Sequence, residues 1–369
     1  MMMNNIIQNE KIAFCTTCMN RLSHLQQTLE KNIQDNYLPG QVEFVLLDYN
    51  SQDGLGEWIY NNMKKYIDEE ILVYYQTSEP AHYLRSHSRN MAFRLANASI
   101  LCNLDADNFL GKGFASFMLD EFSKQDSLFY TNDYSFNDTF GRVCVRSEDF
   151  LSIRGYNELL KSYGYEDNDF LNRLALYGLK PMSFHNPEFY HFVSHSDTDR
   201  VSDEYMAKNL YKMYITYINP YTSSILLLYN DYTTEEYTLV ANWHIYAFAN
   251  SSSVASIYDS YLNEKIRTVI QGNPLKGTWS KNNKTICLQE NDNVYYVRMH
   301  SPSINYKGFS FYRIGDNDFI AKILMLLASA INFSEVYTQM KNNFIVNPDG
   351  FGKGIVYKNF DLSKKIILS

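Results

Sequence analysis

The chain has 369 residues, of which 45% are hydrophobic and 15% aromatic. That length suits two domains of roughly 150 residues each, and the apolar content is enough to fill both cores, which excludes an intrinsically disordered chain. Lys and Arg number 33 against 41 Asp and Glu, a formal net charge of -8. Without a basic field to hold a phosphate backbone, the composition argues against a nucleic-acid partner.

Hydropathy and cysteine content indicate a cellular setting. The longest apolar stretch, residues 323–331, falls short of the roughly 20 residues that a membrane span needs, so we expect no transmembrane segment. Residues 1–11 are polar and contain no apolar run of signal-peptide length. Five cysteines at irregular positions fit a reducing compartment. We therefore expect a cytoplasmic protein, with peripheral association at the inner membrane surface left open.

Residues 11–192 alternate short apolar runs with stretches of helical periodicity, a pattern typical of an α/β domain built on a mostly parallel sheet. In the first predicted helix, Leu22, Leu25, Leu29 and Ile33 recur at steps of three and four residues and give one apolar face. The same pattern predicts strands over residues 11–15, 42–48, 71–76, 100–104, 127–131 and 142–146, and further helices over residues 55–67, 86–97 and 113–125.

The pattern changes after about residue 210, where Tyr-rich and Thr-rich alternating segments predict a β-rich region. We expect a first domain over residues 1–210 and a β-rich accessory domain with one helix over residues 211–369. Binding of the acceptor, contact with a partner and simple capping of the first domain are all open roles for it. The predicted strands include residues 223–228, 238–241, 284–288 and 294–299, the helix covers 318–342, and strands at 354–357 and 366–368 are expected to close the domain.

Two carboxylates follow the predicted strand at residues 100–104 directly, as Asp105-Ala106-Asp107. In open α/β sheets ligands bind beyond the carboxyl ends of the strands, and paired carboxylate oxygens there suit Mg²⁺ or Mn²⁺ on a diphosphate. Acidic turns after strands are also common as merely solvated turns, so the pair alone is a weak signal.

A second acidic cluster, residues 164–169, opens a predicted helix with the sequence Gly-Tyr-Glu-Asp-Asn-Asp. Acidic residues at a helix N-terminus stabilise the helix dipole, which is a sufficient structural reason for them. The cluster has more acidic groups than one cap requires, however, and a carboxylate at such a turn can also accept a proton from a sugar hydroxyl. Both interpretations stay open.

In their sequence and chain order, these motifs resemble those of family 2 type glycosyltransferases of the GT-A fold, close to the galactosyl, N-acetylgalactosaminyl and chondroitin-polymerising branches. The resemblance covers the first 200 residues or so and implies a GT-A fold there, a mostly parallel sheet between helices. The segments that carry it are Thr16–Arg21, Leu47–Gly54, Arg89-Asn90, Asp105–Asp107, Ile153–Glu158 and Gly164–Phe170.

The resemblance implies a nucleotide-binding role for five residues. Asp48 would hydrogen-bond the uracil of a UDP-sugar, and Thr16 and Arg21 would lie beside the nucleotide. Asp105 would face the ribose and the metal. Arg89 stands where the family has an arginine, and a guanidinium suits the diphosphate, although it also suits the polar face of a helix.

The resemblance also implies a metal site for Mn²⁺ or Mg²⁺. Asp107, with Asp105, would ligate the metal that bridges the two phosphates. A third ligand in such sites is often a histidine further along the chain, and His191 follows the acidic helix at about the family's distance. The alternative is that His185, His191 and His195 are ordinary histidines at strand ends.

On the acceptor side, the resemblance implies that Asp167 is the general base and that Glu166 hydrogen-bonds the acceptor or the donor sugar. Asp167 would deprotonate the acceptor hydroxyl while its oxygen attacks the anomeric carbon from the face opposite UDP, which inverts the configuration. The family's Trp before the acidic pair is missing here, so Tyr163 and Tyr165 are candidates to replace it as a stacking platform for a sugar ring.

The sequence thus predicts an inverting, metal-dependent hexosyltransferase that moves a hexose or N-acetylhexosamine from a UDP-sugar to a glycan hydroxyl. Bacterial surface polysaccharide synthesis is the expected setting. The alternative is a non-catalytic carbohydrate-binding or scaffold protein on a decayed glycosyltransferase fold.

Overall fold

Buried strands and amphipathic helices alternate through the first half of the chain, as the sequence predicts. The structure is a computed structural model that describes residues 10–132, 139–219, 222–231, 233–239, 278–282, 285–290, 293–298, 303–341 and 345–369. Part of the predicted strand at 238–241 and single residues at the edges of the strands at 284–288 and 294–299 lie outside the described residues, as does the last residue of the predicted helix at 318–342.

The α/β part has nine strands among the described residues. These are β1 Ile12–Cys18, β2 Val42–Tyr49, β3 Leu72–Thr77, β4 Ile100–Asn103, β5 Leu128–Thr131, β6 Cys144–Arg146, β7 Lys180–Ser183, β16 Gly354–Lys358 and β17 Lys365–Leu368. The helices are α1 Leu22–Asn36, α2 Leu55–Trp58, which continues through a π-helical turn at Ile59–Met63 into α3 Lys64–Asp68, α4 Arg85–Leu95, α5 Phe114–Lys124, α6 Ser147–Ser152 and α7 Glu166–Tyr177, with a 3₁₀ turn at Pro187–Tyr190.

These nine strands form one mixed sheet in the order β17-β16-β3-β2-β1-β4-β6-β5-β7. The centre, β3-β2-β1-β4, is parallel, whereas β6 runs antiparallel to both β4 and β5. All residues of β1, β2 and β4 are buried, which explains why they read as continuous apolar runs rather than alternating ones. The predicted α/β class is confirmed, and the carboxyl ends of β1 and β4 lie side by side.

Alternate residues of the central strands fill two separate cores, one on each face of the sheet. Phe14 and Phe44 belong to one core, together with apolar residues of α1 and α5. Ala13 and Val45 point to the other face, where they pack with residues of α4, α6 and α7. This layering follows from the period of two along a strand, and it places α7 and α4 on the same face of the sheet.

The second part of the chain is β-rich, as predicted. It contains α8 Asp197–Val201, α9 Tyr205–Asn209, β8 Leu210–Asn219, β9 Thr222–Tyr229, β10 Thr234–Leu239, β11 Thr278–Asn282, β12 Thr285–Glu290, β13 Asn293–Arg298, β14 Ser303–Tyr306, β15 Phe309–Arg313 and α10 Asn317–Lys341. Five of the strands form an antiparallel sheet in the order β10-β9-β8-β15-β14, and β11-β12-β13 form a separate antiparallel sheet.

The chain divides into two compact units. The first comprises the described residues up to Lys161, residues 165–195 and residues 338–369, and the second comprises residues 162–164 and the described part of Ser196–Tyr337. The predicted boundary near residue 210 lies a short way after this division. The last residues of the chain, 338–369, belong to the first unit.

The expectation that the last two strands close the second domain is wrong. β16 pairs antiparallel with β3, with Tyr357 opposite Gln76, and β17 pairs with β16. Asn359 reinforces the pairing, because its side-chain oxygen accepts a hydrogen bond of 2.9 Å from the backbone N–H of Tyr74. The physical reason is that a parallel edge strand such as β3 offers unpaired backbone groups to any later strand of the chain.

The helix α10 is long and apolar enough to cross a membrane, judged by length and composition over Asn317–Met340. A core helix of a globular unit passes the same test. Ile323, Leu324 and Leu327 of this helix are buried and pack with Met213 of β8 and Leu227 of β9 in the core of the second unit. Those contacts favour the interpretation of α10 as a core helix.

Candidate active site

The predicted acidic turn lies directly after β4, at the carboxyl end of the parallel strands. Two buried polar side chains of α1 hold its backbone. Thr28 donates a hydrogen bond of 2.7 Å to the carbonyl oxygen of Ala106, and Asn32 donates one of 2.9 Å to that of Asn108. These contacts explain why α1 buries polar residues between its apolar ones. They fix the turn that carries Asp105 and Asp107.

A buried arginine holds the same turn from the other side. Arg142 is fully buried, and its Nη2 donates to the carbonyl oxygen of Phe109 at 2.8 Å and to Oδ1 of Asn108 at 3.2 Å. Its Nη1 donates to the carbonyl oxygen of Phe189. Burial lowers the pKa of Arg142. Arg142 thus connects the acidic turn to the 3₁₀ turn that precedes the predicted histidine ligand.

Asp105 and Asp167 meet on one guanidinium, that of Arg89. Nη1 of Arg89 donates to Oδ1 of Asp167 at 2.6 Å, and Nη2 donates to Oδ1 of Asp105 at 3.4 Å. Glu166 lies at the edge of the same group, 3.5 Å from Nη1. We call these four residues the arginine network. The sequence predicted Arg89 beside the nucleotide, whereas the structure directs both of its Nη atoms at carboxylates.

The two aspartates of the arginine network have opposite pKa shifts. Burial works to raise the pKa of Asp105, but Arg89 and the Asn103 amide, which donates to Oδ1 at 2.9 Å, hold it below its ordinary value. Burial raises the pKa of Asp167 to about 7, with Glu166 and Asp105 adding to the rise and Arg89 opposing it. A carboxylate with a pKa near 7 has the proton affinity of an effective general base at neutral pH.

Asp167 owes its position to the sharp start of α7. Gly164 and Tyr165, the two residues before the helix, both have positive φ, +83° and +71°. Glycine adopts this conformation freely, whereas for Tyr165 it is uncommon. The turn sets Glu166 and Asp167 in the first helical turn, and both side chains are largely buried, with exposed fractions of 6% and 14%.

Asp107 belongs to a different pair. Its Oδ2 lies 2.8 Å from Nε2 of His195, and Asn108 donates to its Oδ1, also at 2.8 Å. The His195 ring is mostly buried and stands edge to face against the His24 ring, 5.6 Å away. The sequence predicted Asp107 as a metal ligand, and the structure pairs it with His195, which the sequence did not select.

The choice of His191 is not supported by the structure. The backbone carbonyl of His191 accepts a hydrogen bond from Phe109, and Val193 donates to the carbonyl of Asp107, so this segment pairs through its backbone. The His191 side chain is 62% exposed and its nearest charged partner is Glu188, at 3.6 Å. Spacing along the chain could not tell the two histidines apart, because the pairing register decides which one reaches Asp107.

The Asp107–His195 pair fits a divalent cation in its chemistry. A carboxylate oxygen and an imidazole nitrogen are both accepted by Mn²⁺, and they stand close enough to serve one ion. Within the described part of the chain, no group of three or more His, Cys, Asp or Glu side chains surrounds a common point. A cation held here would therefore draw its other ligands from outside these side chains, such as diphosphate or water oxygens.

The residues predicted for the nucleotide line the carboxyl ends of β1 and β2. Thr16 is buried in β1, and Arg21 stands at the N-cap position of α1. Asp48 is buried in β2, where Oδ1 accepts from the backbone of Ser51 and Oδ2 from the hydroxyl of Tyr74, both at 2.8 Å. Burial raises the pKa of Asp48, and these two hydrogen bonds oppose the rise.

The proposed sugar platform is only partly in place. Tyr163 packs against the core of the second unit, and its hydroxyl accepts a hydrogen bond from Arg200 at 3.2 Å. Tyr163 thus has a structural role in that core. Tyr165 occupies the N-cap of α7, next to Glu166, and stays a candidate for contact with a sugar ring.

A family model described as the N-terminal domain of galactosyltransferase matches residues 125–196. The matched segment contains α7 with Glu166 and Asp167, and it also contains His195. No curated protein matches the chain. The match supports the prediction at its coarser level, that of a glycosyltransferase-like domain.

Solved structures similar to this chain include the following two proteins, both at low identity. The mannosyltransferase PcManGT from Pyrobaculum calidifontis, in complex with GDP-Man and Mn²⁺, is 15% identical over 48% of this chain and 55% of its own, with a TM-score of 0.42. TarS 1-349 from S. aureus in complex with UDP is also 15% identical, over 52% of this chain and 62% of its own, with a TM-score of 0.42. The alignments thus span less than two thirds of either protein.

Proposed function

We propose that the chain is an inverting, metal-dependent glycosyltransferase of the GT-A type that moves a hexose or N-acetylhexosamine from a UDP-sugar to a glycan hydroxyl. The observation that carries the proposal is the placement of Asp167, with a pKa of about 7, beside the acidic turn at the carboxyl end of β4. This sheet edge is where α/β folds bind nucleotides and their phosphates. The family-model match over residues 125–196 supports the same class.

In the proposed reaction, Asp167 accepts the proton of the acceptor hydroxyl while that oxygen forms a bond to the anomeric carbon and the bond to UDP breaks. A single displacement of this kind inverts the anomeric configuration. Arg89 holds Asp167 in a fixed position, which favours proton transfer in one geometry. Glu166, buried next to it, is proposed to hydrogen-bond the acceptor or the donor sugar.

On the donor side, Asp107 and His195 would hold the divalent cation, Mn²⁺ or Mg²⁺. When bound, such a cation neutralises the negative charge of the departing diphosphate. Asp105 would face the ribose, and Asp48, Thr16 and Arg21 would line the nucleotide. The two hydrogen bonds that Asp48 accepts within the chain fix its direction for a uracil N–H.

The setting is proposed as bacterial surface polysaccharide synthesis, in the cytoplasm or at the inner membrane surface. The order of the sequence motifs supports the proposed setting. It also supports the proposal of the galactosyl, N-acetylgalactosaminyl or chondroitin-polymerising branch. The second unit is proposed as an accessory domain of the transferase.

Nucleotide release tests the proposed function without a known acceptor, because transferases of this kind hydrolyse their donors slowly. The full chain is incubated with a panel of UDP-sugars and with GDP-mannose, in Mn²⁺ with and without EDTA. We expect release from one UDP-sugar, abolished by EDTA. If the chain binds UDP and Mn²⁺ but releases nucleotide from no donor, even when glycans are added, the result would instead support the non-catalytic carbohydrate-binding protein.

A further inference from the structure

Arg89 is a buried cation that faces carboxylates from distant parts of the chain. Its side chain is 4% exposed, and it contacts Asp105, which follows β4, and Asp167, which lies in the first turn of α7. The guanidinium also lies over the ring of Tyr156, 5.4 Å from its centroid. A charge buried this deeply is stable only with opposite charges against it, so the positions of the guanidinium and the two carboxylates depend on one another.

The geometry uses a property that is specific to arginine. Two different nitrogens of one rigid, planar group contact the two aspartates, Nη1 with Asp167 and Nη2 with Asp105. A lysine would offer a single nitrogen on a flexible stem and would have to favour one aspartate. The two Nη atoms, which we call the guanidinium fork, therefore fix the separation between the two carboxylates and also balance their negative charge.

Gly141 supplies the space that this arrangement needs. A Cβ at position 141 would lie 2.7 Å from Oδ2 of Asp105 and 3.0 Å from Nη2 of Arg89. Gly141 is not among the residues with positive φ, so its backbone does not require glycine. Glycine is needed at position 141 only because a side chain would occupy the space of the Asp105 and Arg89 side chains.

Asn103 completes the contact between Gly141 and the acidic turn. Its side-chain nitrogen donates to Oδ1 of Asp105 and to the carbonyl oxygen of Gly141, each at 2.9 Å. Asn103 thus connects β4 with the segment before β6, and Arg89 connects Asp105 with the start of α7.

We propose that Arg89 and Gly141 are positioning residues that set the distance between the donor-side carboxylate Asp105 and the base Asp167. This inference rests on the proposed function, since it assigns the two aspartates to donor and acceptor. Arg89 acts through the carboxylates that it holds, and Gly141 acts by leaving the space that they occupy.

Arg89→Lys tests the fork, because it keeps the positive charge and removes one of the two nitrogens. We expect kcat for transfer to fall about 100-fold, the typical cost of a misplacement near 1 Å. The matched control is Arg94→Lys, which makes the same substitution in the same helix at a residue that bonds to the carbonyls of Phe351, Gly352 and Ser369. Titration with UDP and Mn²⁺ measures the fraction of folded, binding-competent protein, so kcat is expressed per active site.

Gly141→Ala tests the gap independently of the arginine. We expect a loss of kcat comparable to that of Arg89→Lys, with UDP still bound. Gly315→Ala is the control, because a Cβ at Gly315 meets no atom within 4 Å.

Arg89→Gln adds a readout that a purely structural role would not change. Removal of the charge that lowers the pKa of Asp167 should shift the acid limb of the pH profile to higher pH.

The outcomes separate the inference from the proposed function. Active wild-type protein with impaired Arg89→Lys and Gly141→Ala variants and normal controls supports both. Active wild-type protein with both variants at the wild-type kcat overturns the positioning inference alone. If one variant fails to fold, the other decides. A wild-type chain that transfers no sugar from any donor overturns the proposed function, and the inference with it.

Discussion

Asp105 and Asp107 stand one residue apart, yet they belong to different sets of contacts. Asp105 points into the arginine network, where Arg89 and Asn103 hold one of its oxygens. Asp107 points to His195 and leaves the network entirely. An Asp-x-Asp pair is therefore not one unit with two equivalent oxygen donors. The first carboxylate is tied through Arg89 to Asp167, the proposed base, and the second is the better candidate to hold a metal.

The largest effect is expected from removal of the proposed base. Asp167→Asn keeps the size of the side chain but cannot accept the proton, so we expect kcat to fall about 10²- to 10⁴-fold. Asp169→Asn is the matched control, since Asp169 lies in the same helical turn and pairs with Arg173 instead, at 2.8 Å. Nucleotide release and glycan transfer measure the loss. Retention of full transfer by Asp167→Asn would remove it as the base.

His195 and His191 are expected to differ in their effect on the proposed metal site. His195→Ala should raise the Mn²⁺ concentration needed for half-maximal activity about 10- to 100-fold, whether the imidazole ligates the ion or orients Asp107. His191→Ala should leave that concentration unchanged, because the His191 side chain is exposed and directed at Glu188. The reverse result would favour His191 as the metal ligand.

The pH dependence follows from the raised pKa of Asp167. In the proposed mechanism transfer requires the ionised carboxylate of Asp167, whose pKa is about 7. kcat/KM should therefore be level above that pH and fall about tenfold per pH unit below it. A profile that stays flat down to pH 5 would mean that another group accepts the proton.

Sequence patterns predicted the elements of the first unit well because each buried strand and amphipathic helix carries its own periodicity. They missed the connections between elements. Nothing local in Gly354–Lys358 says that it pairs with β3, which lies far earlier in the chain. The resemblance made Asp167 and Asp107 candidates from local motifs, whereas His195 and Gly141 depend on register and on three-dimensional proximity.

The buried polar residues of the helices show the same limit. Leu25 and Leu29 predicted the apolar face of α1, but Thr28 and Asn32 lie on that face as well and hold the acidic turn. A buried threonine or asparagine among leucines is a usable signal, because a buried polar group requires a partner. Its partner, a backbone carbonyl after another strand, cannot be read from the sequence.

The smallest effect is expected at the nucleotide side. Tyr74→Phe removes the hydrogen bond to the buried carboxylate of Asp48 and should lower the free energy of unfolding by about 1.5 kcal/mol. Tyr156→Phe is the control, because its buried hydroxyl has no hydrogen-bond partner among the described residues. Urea unfolding of both variants measures the difference. Equal stabilities would mean that the Tyr74 hydroxyl does not stabilise Asp48.

The most direct test of the different roles of the two carboxylates is Mn²⁺ binding in the presence of UDP, followed by electron paramagnetic resonance. The variants are Asp107→Asn and Asp105→Asn. We expect Asp107→Asn to weaken Mn²⁺ binding about 10- to 100-fold, and Asp105→Asn to change it far less while lowering transfer. Loss of Mn²⁺ binding in Asp105→Asn, with binding intact in Asp107→Asn, would contradict this assignment.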